Sequence, residues 1–406
     1  MSGAAGLRVL VVEPVSGGVE LVARLGAAGA RVVVTAGDPA SLPARAAAAS
    51  AEVIAWSPVD PVADLLVRLP PGSVDVVLAG HEYAVVAAAE AAAALGLRGL
   101  DPAAARAARH KDLMRAAVAA AGLACPASVV VPPGATTSPV GYPCVVKPVD
   151  CGGSLDVRLA EDDAGFAAAL SRIVDRPSVP LLREARHQAL AEAYVEGPEL
   201  SVEGIVAAGR TVFFSCTEKL LSAPPAFVEL GHVVRSPVLG PAEHEAVHAY
   251  VEAVLGAVGI DVGPFHAEVR LTPGGPVLME VAARLAGDHL CELIGDATGV
   301  DYFEATALAP LGEVPAPPPC RTDPAEPVWG IGFFATAADT VFAGLAGTEA
   351  LERCPEVRSV EVGARPGDAL PGMASYESRF GHAVLHGSYA RVRWALTTLC
   401  PEVRPG

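Results

Sequence analysis

The sequence predicts a mixed architecture, α/β at its start and α+β after it. Three observations carry that reading. Residues 1–100 alternate apolar strands with helical runs, the order of a parallel, doubly wound sheet. Residues 101–313 mix helices with hairpin-type strand pairs, and a smaller lobe is read over about 125–200 within them. A proline-rich stretch, 314–319, then leads to a small α+β module over 327–402. The 406 residues, 52% hydrophobic and only 18% charged, are enough for about two to four domains with a sizeable core.

Residues 7–13, LRVLVVE, are a continuous apolar strand. Ser16-Gly17-Gly18 turns the chain into a helix, 19–29, and 31–35 is the next strand. A strand at 74–80 leads to a helix over 83–95. The first turn lacks the G-x-G-x-x-G spacing, so no dinucleotide site is expected there. His81, Glu82 and Tyr83 follow a strand's carboxyl end, where open α/β sheets take ligands, and are substrate candidates. Asp101 caps a helix over 102–110, and a second helix spans 112–121 with Lys111 at the junction.

Strands are read at 126–131 and 142–148. Lys147 interrupts the apolar core of the second, and a buried lysine needs a partner. Gly152-Gly153-Ser154 follows at once. Glycines there let backbone amides approach a phosphate, although the segment also fits a plain turn. A helix over 161–174 and a proline-flanked loop at 176–180 precede a strand, a Gly-Pro turn and a strand across 190–206. A strand at 211–216 leads to Lys219. Residues 222–237 read as one long connection, too long for a hairpin turn and so a functional-loop candidate. A helix over 241–259, a hairpin and a helix over 288–298 follow, and short strands are read at 328–335, 340–344 and 357–362.

The hairpin segment, 264–290, reads PFHAEVRLTPGGPVLMEVAARLAGDHL. Its period-two alternation marks a half-buried strand, Thr-Pro-Gly-Gly-Pro a turn, and 277–281 the return strand. Glu268 and Glu280 are thereby brought side by side. Two carboxylates so close repel unless a cation lies between them, and a hard divalent ion such as Mg²⁺ meets that need. A plain hairpin with solvated acids is the competing reading.

Net charge is −17, which excludes nonspecific nucleic-acid binding; phosphates must be met locally by a few lysines and amides. No run of about 18 uncharged apolar residues marks a membrane span, and the N-terminus lacks the shape of a signal peptide, so a cytoplasmic protein is expected. Eight cysteines form no CxxC pair, which speaks for reduced thiols and against zinc. Cys151, in the glycine loop, would be reactive only with a depressed pKa.

Taken in order, these residues resemble the ATP-grasp superfamily of carboxylate–amine ligases over roughly residues 100–310. Within it the chain is most similar to the L-amino acid (dipeptide) ligases, on residues 227–237, FVELGHVVRSP, and 279–288, MEVAARLAGD. The resemblance implies an ATP-grasp fold behind an α/β pre-domain, with ATP and Mg²⁺, two ions, as cofactors. It implies that Lys111 and Lys147 contact the phosphates and that Gly152, Gly153 and Ser154 fold over them. Glu192, Tyr194 and Val195 would form the adenine hinge, Glu199 would take the ribose, and Lys219 would reach the terminal phosphate. Glu268 and Glu280 would bind Mg²⁺, Arg284 would face the oxyanion, and Glu229 and His232 would line the amino acid site. The implied activity is amide formation between two amino acids, or an amino acid and a related amine, through an acyl-phosphate. Another ATP-grasp ligase or carboxylase of the purine-pathway type, or a noncatalytic nucleotide-binding protein, is the alternative. The implied partners are small molecules, with a homodimer as an option. Ala282 departs from the family's usual asparagine and removes a ligand from the second ion, Leu155-Asp156 replaces a further glycine, and Arg235 stands where an uncharged residue is usual.

Overall fold

The computed structural model describes residues 3–56, 61–176, 186–318, 323, 325–399 and 401–404. The loop expected at 176–180 lies, beyond residue 176, outside the described residues.

The N-terminal sheet is parallel. Its strands are β1 (Arg8–Val12), β2 (Arg31–Ala36), β3 (Glu52–Ala55) and β4 (Val76–Ala79), in the order β3-β2-β1-β4. Successive side chains point to opposite faces. Val9, Val11, Val32 and Val34 therefore pack with Leu21, Val22 and Leu25 of the helix Gly17–Ala27. Leu10, Val12, Val33 and Ile54 pack on the other face with Ala88, Ala91 and Ala92 of the helix Val85–Ala94. Both faces are covered, as the doubly wound reading requires. The sequence reading passed over β3, a four-residue strand that follows an alanine-rich run.

A second, antiparallel sheet forms the smaller lobe: β5 (Ser128–Val131), β6 (Cys144–Pro148), β7 (Arg158–Ala160) and β8 (Ala189–Ala193), ordered β5-β8-β6-β7. The helix Asp163–Val174 seals one face through Phe166, Leu170 and Ile173 against Cys144, Val146, Ala189 and Ala191. By alternation Val145, Lys147 and Glu192 fall on the other face and line a cleft.

The central sheet has eight strands. They are β9 (Glu199–Ala207), β10 (Arg210–Leu221), β11 (Glu229–Val234), β12 (Gly263–Thr272), β13 (Gly275–Ala282), β14 (Val328–Ala335), β15 (Val357–Val362) and β16 (Arg379–Gly387). Their order is β13-β12-β9-β10-β11-β14-β16-β15. On β12, Phe265, Ala267 and Val269 join Val247, Val251 and Val254 of the helix Pro241–Val258 in one core. The alternate residues, His266, Glu268 and Arg270, face the cleft.

Two expectations need correction, and two strand pairings add to the sequence reading. Residues 222–237 are not one loop: β11 runs through them, hydrogen-bonded to both β10 and β14. The prolines on either side made the run look irregular, but 229–234 lie between them and are free to pair. The two strands read across 190–206 are present as β8 and β9, and they belong to different sheets. The C-terminal strands β14, β15 and β16 extend the central sheet. The helix read at 288–298 starts at Leu290, since Asp288 and His289 hold φ of 57° and 58°, outside the helical region.

Candidate active site

The cleft between the sheets has a volume of about 420 Å³, within the usual range for small-molecule sites. Every residue given a site role from the sequence lines it except Tyr194. The Tyr194 ring instead lies stacked toward Phe227, 6.0 Å between centroids, with the Arg270 guanidinium 5.3 Å from its centre.

Glu268 and Glu280 are direct partners across β12 and β13. The register shifts beside them, leaving Met279 as an extra residue, so Met279 and Glu280 both reach the cleft wall. Lys219, on β10, reaches three carboxylates: Glu199 Oε1 at 2.7 Å, Glu268 Oε1 at 2.7 Å and Glu229 Oε1 at 3.0 Å. Burial would push this ammonium down, but Glu199, Glu268 and Glu229 outweigh it and hold its pKa well above the ordinary value. Burial likewise opposes the Glu268 charge, and Lys219 and His266 hold that carboxyl well below the usual range. His266 donates between Glu203 Oε1 (3.0 Å) and Glu268 Oε1 (3.3 Å). Burial lowers its pKa, but the two carboxylates win and raise it to about 9. Glu199 is also gripped by Arg270 Nε at 2.9 Å, and Arg270 donates to the Val195 carbonyl at 2.6 Å.

Lys111 starts a helix and donates to the Cys151 carbonyl at 2.6 Å and Glu280 Oε1 at 3.1 Å. Lys147 lies 2.7 Å from Glu192 Oε2, and Arg115 donates to Glu192 Oε1 at 2.7 Å. Burial would raise the Glu192 pKa, but Arg115 and Lys147 bring it down to about 2. Burial pushes Lys147 down, against the pull of Glu192. Glu192 thus steadies Lys147, and both of its oxygens are engaged.

The glycine loop packs against Tyr376, in the short 3-10 turn that precedes β16. Gly153 has φ +67°, and a Cβ there would come within 2.4 Å of the Tyr376 ring. Ser154 donates to the Phe227 carbonyl at 3.3 Å. Cys151 is buried and burial raises its pKa to about 11, so it is not an activated thiol.

A second group of charges has the opposite balance. Arg284 donates through Nε to Glu82 Oε2 at 2.5 Å, and Arg109 Nε lies 3.8 Å from Glu82 Oε1. Burial opposes the Glu82 charge, but Arg284 and Arg109 keep its pKa below the ordinary value. Arg379 forms a two-pronged pair with Asp288, 2.7 Å on each prong, and His232 Nε2 lies 3.1 Å from Asp288 Oδ2. Burial again opposes the charge, and His232 and Arg379 drive the Asp288 carboxyl far below its usual range. His232 Nδ1 is buried with no hydrogen-bond partner among the described residues. Asp288 was quoted in the sequence motif but given no role, and Arg379, Arg109 and Arg115 were not singled out. Their signal is weak: Arg109 and Arg115 flank Lys111 without a pattern of their own, and Arg379 lies far from any motif. Arg235 donates to the Ala297 carbonyl at 3.2 Å and is not among the lining residues.

The antiparallel lobe and the larger sheet, closing a cleft over a glycine loop, lysines and facing carboxylates, have the arrangement of an ATP-grasp fold. The family model described as ATP-grasp domain matches residues 140–292. Among solved structures, the L-amino acid ligase from Bacillus licheniformis superposes with a TM-score of 0.78 at 21% identity, covering 99% of each chain. Dapdiamide A synthase of Enterobacter agglomerans is 28% identical over 173 residues, 42% of this chain and 39% of that protein. Alanine–anticapsin ligase of Bacillus subtilis is 27% identical over 252 residues, 57% of this chain and 53% of that protein. The chain spans less than two thirds of the length of these curated relatives. Among the described residues no helix is long and apolar enough to cross a membrane.

Proposed function

We propose that the protein is an ATP-dependent ligase that joins two amino acids, or an amino acid and a related amine, through an acyl-phosphate, releasing ADP and phosphate. The observation that carries this reading is the Glu268–Glu280 pair, in register across the hairpin and approached by Lys219 and Lys111. The names of the similar proteins, an L-amino acid ligase and an alanine–anticapsin ligase among them, support it.

The donor set suits Mg²⁺: two carboxylates, both partly open to the cleft, offer only hard oxygen ligands. Glu268 and Glu280 would hold it, with two ions on the family pattern. When bound there it would offset charge on phosphate oxygens. Lys111 and Lys147 would turn from Glu280 and Glu192 to the phosphates, under the amides of Gly152, Gly153 and Ser154. Val195, with the backbone beside it at Tyr194, would border the adenine, Glu192 would keep its pair with Arg115, and Glu199 would take the ribose.

A carboxylate is a poor acyl donor because oxide is a poor leaving group. Its attack on the γ-phosphate forms a C(O)–O–P link and expels ADP, and a free amine then displaces phosphate. The cation-rich group fits the acid: Arg284 would meet the oxygen on which charge develops. The amine must shed a proton, and Glu229 or the unpartnered nitrogen of His232 would accept it.

Incubation with ATP, Mg²⁺ and pools of amino acids tests this. The expected result is ADP and phosphate in equal amounts, with a product mass equal to two substrates less one water. Tight ATP binding without turnover in any pool would overturn it in favour of a noncatalytic nucleotide-binding protein.

A further inference from the structure

The helix Pro241–Val258 covers the face of the central sheet that points away from the cleft. There, Cys216 of β10 meets two histidines of that helix. Cys216 Sγ lies 3.6 Å from His244 Nδ1 and 3.5 Å from His248 Nε2. All three ligand atoms fall within 4.8 Å of one another. His244 and His248 are four apart, so one helix face presents both. The His248 ring is pinned by stacking on Phe213, 4.0 Å between centroids and 5° from parallel. Phe213 is in turn set edge-on to Phe265 at 5.8 Å. Ring orientation is therefore fixed by the core rather than by the thiol alone.

The geometry points to a second metal site, Cys216–His244–His248, that takes Zn²⁺ and is separate from the oxygen-lined cleft. A tetrahedral zinc ion with Zn–S about 2.3 Å and Zn–N about 2.05 Å has sulfur-to-nitrogen edges of about 3.5 Å. The two sulfur-to-nitrogen edges here are 3.6 and 3.5 Å, and the nitrogen-to-nitrogen edge, within 4.8 Å, is the one that would draw in around an ion. One thiolate and two imidazoles form a borderline-soft set that selects zinc and rejects Mg²⁺. On binding, the thiol proton leaves to solvent, and three protein ligands leave one position for water. The ion would tie the helix to β10 behind Lys219, which projects from the opposite face of that strand. The absence of CxxC pairs hid this site, because its ligands are one cysteine and a distant His-x-x-x-His.

Cobalt(II) is the probe. The protein is stripped with chelator, saturated with Mg²⁺ to occupy oxygen sites, and titrated with Co²⁺ and then Zn²⁺. One equivalent of cobalt should give a thiolate-to-metal charge-transfer band and the visible bands of a tetrahedral ion, and one equivalent of zinc should bleach both. Cys216→Ser should remove the charge-transfer band. His244→Ala should weaken binding by more than the roughly 10–100-fold that outer-shell changes cost. Zinc should raise the melting temperature of the wild type and not of Cys216→Ser. Should Cys216→Ser fail to fold, His244→Ala, at a half-buried position, decides alone. No thiolate band, or a band and affinity unchanged in these variants, would overturn the site and leave a thiol–imidazole hydrogen-bond cluster.

Discussion

The two charge groups in the cleft are built to opposite balances. Around Lys219 three carboxylates converge on one ammonium, an acid-rich arrangement with room for further cations. Around Glu82 and Asp288 each carboxylate is held by two basic groups, Arg284 with Arg109, and Arg379 with His232. The first balance suits metal and the charges it carries. The second suits an incoming carboxylate and the oxyanion that follows. A cleft of one uniform sign could not serve both steps of the proposed reaction.

Breaking the acid-rich side should have the largest effect. Glu280→Gln removes one proposed metal oxygen, and metal stabilisation is worth several kcal/mol, so phosphate release should fall by about 10³-fold or more. Circular dichroism and melting should stay close to wild type, because Glu280 is partly exposed. Retained turnover would remove the metal assignment. Arg284→Ala strikes the cation-rich side. The kcat should drop by about 10²–10³-fold while the KM for ATP changes little. Equal losses in both would show that Arg284 serves binding of nucleotide or the fold instead.

The pH dependence of stability sharpens the contrast. Glu192 has its pKa lowered to about 2 from 4.5, so its contribution is complete above pH 4.5 and is lost as pH falls toward 2. That is of order 3 kcal/mol at the cited shift. Asp288 acts in the same direction. His266 is opposite: its pKa is raised from 6.5 to about 9, so its contribution is complete below pH 6.5 and is lost as pH rises through 9. Urea unfolding across this range should show both limbs. His266→Gln should flatten the alkaline limb and leave the acid one, and an unchanged alkaline limb would refute the assignment.

The smallest effect is expected at the glycine loop. Gly153→Ala sets a methyl against Tyr376 in a left-handed conformation that costs about 1–2 kcal/mol, so the KM for ATP should rise about tenfold. Tyr376→Ala in the same chain should recover part of that. An unaltered KM would mean the loop does not close over nucleotide.

The acid-rich side was legible in the sequence because alternation places Glu268 on one strand face, while a short turn returns Glu280 opposite it. Lys147 could be flagged as a lysine in an apolar strand, whereas Lys111 and Lys219 were reached only through the family resemblance. The cation-rich side was only half legible. Arg284 and His232 stood out, but their partners come from residues 82, 109, 288 and 379, and no local periodicity links positions so far apart. The strand at 229–234 was missed for a related reason. Its pairing is decided by β10 and β14, the latter almost a hundred residues on, and not by its own flanking prolines. The same limit joined the C-terminal strands to the main sheet unannounced.

The proposed chemistry is tested most directly by following one oxygen. Once a substrate pair is found, the activated amino acid is supplied with ¹⁸O in its carboxylate, and released phosphate is examined by mass spectrometry. Passage through an acyl-phosphate predicts one labelled oxygen in the phosphate for each amide formed. Amide formation with unlabelled phosphate, or with the label in AMP, would contradict it.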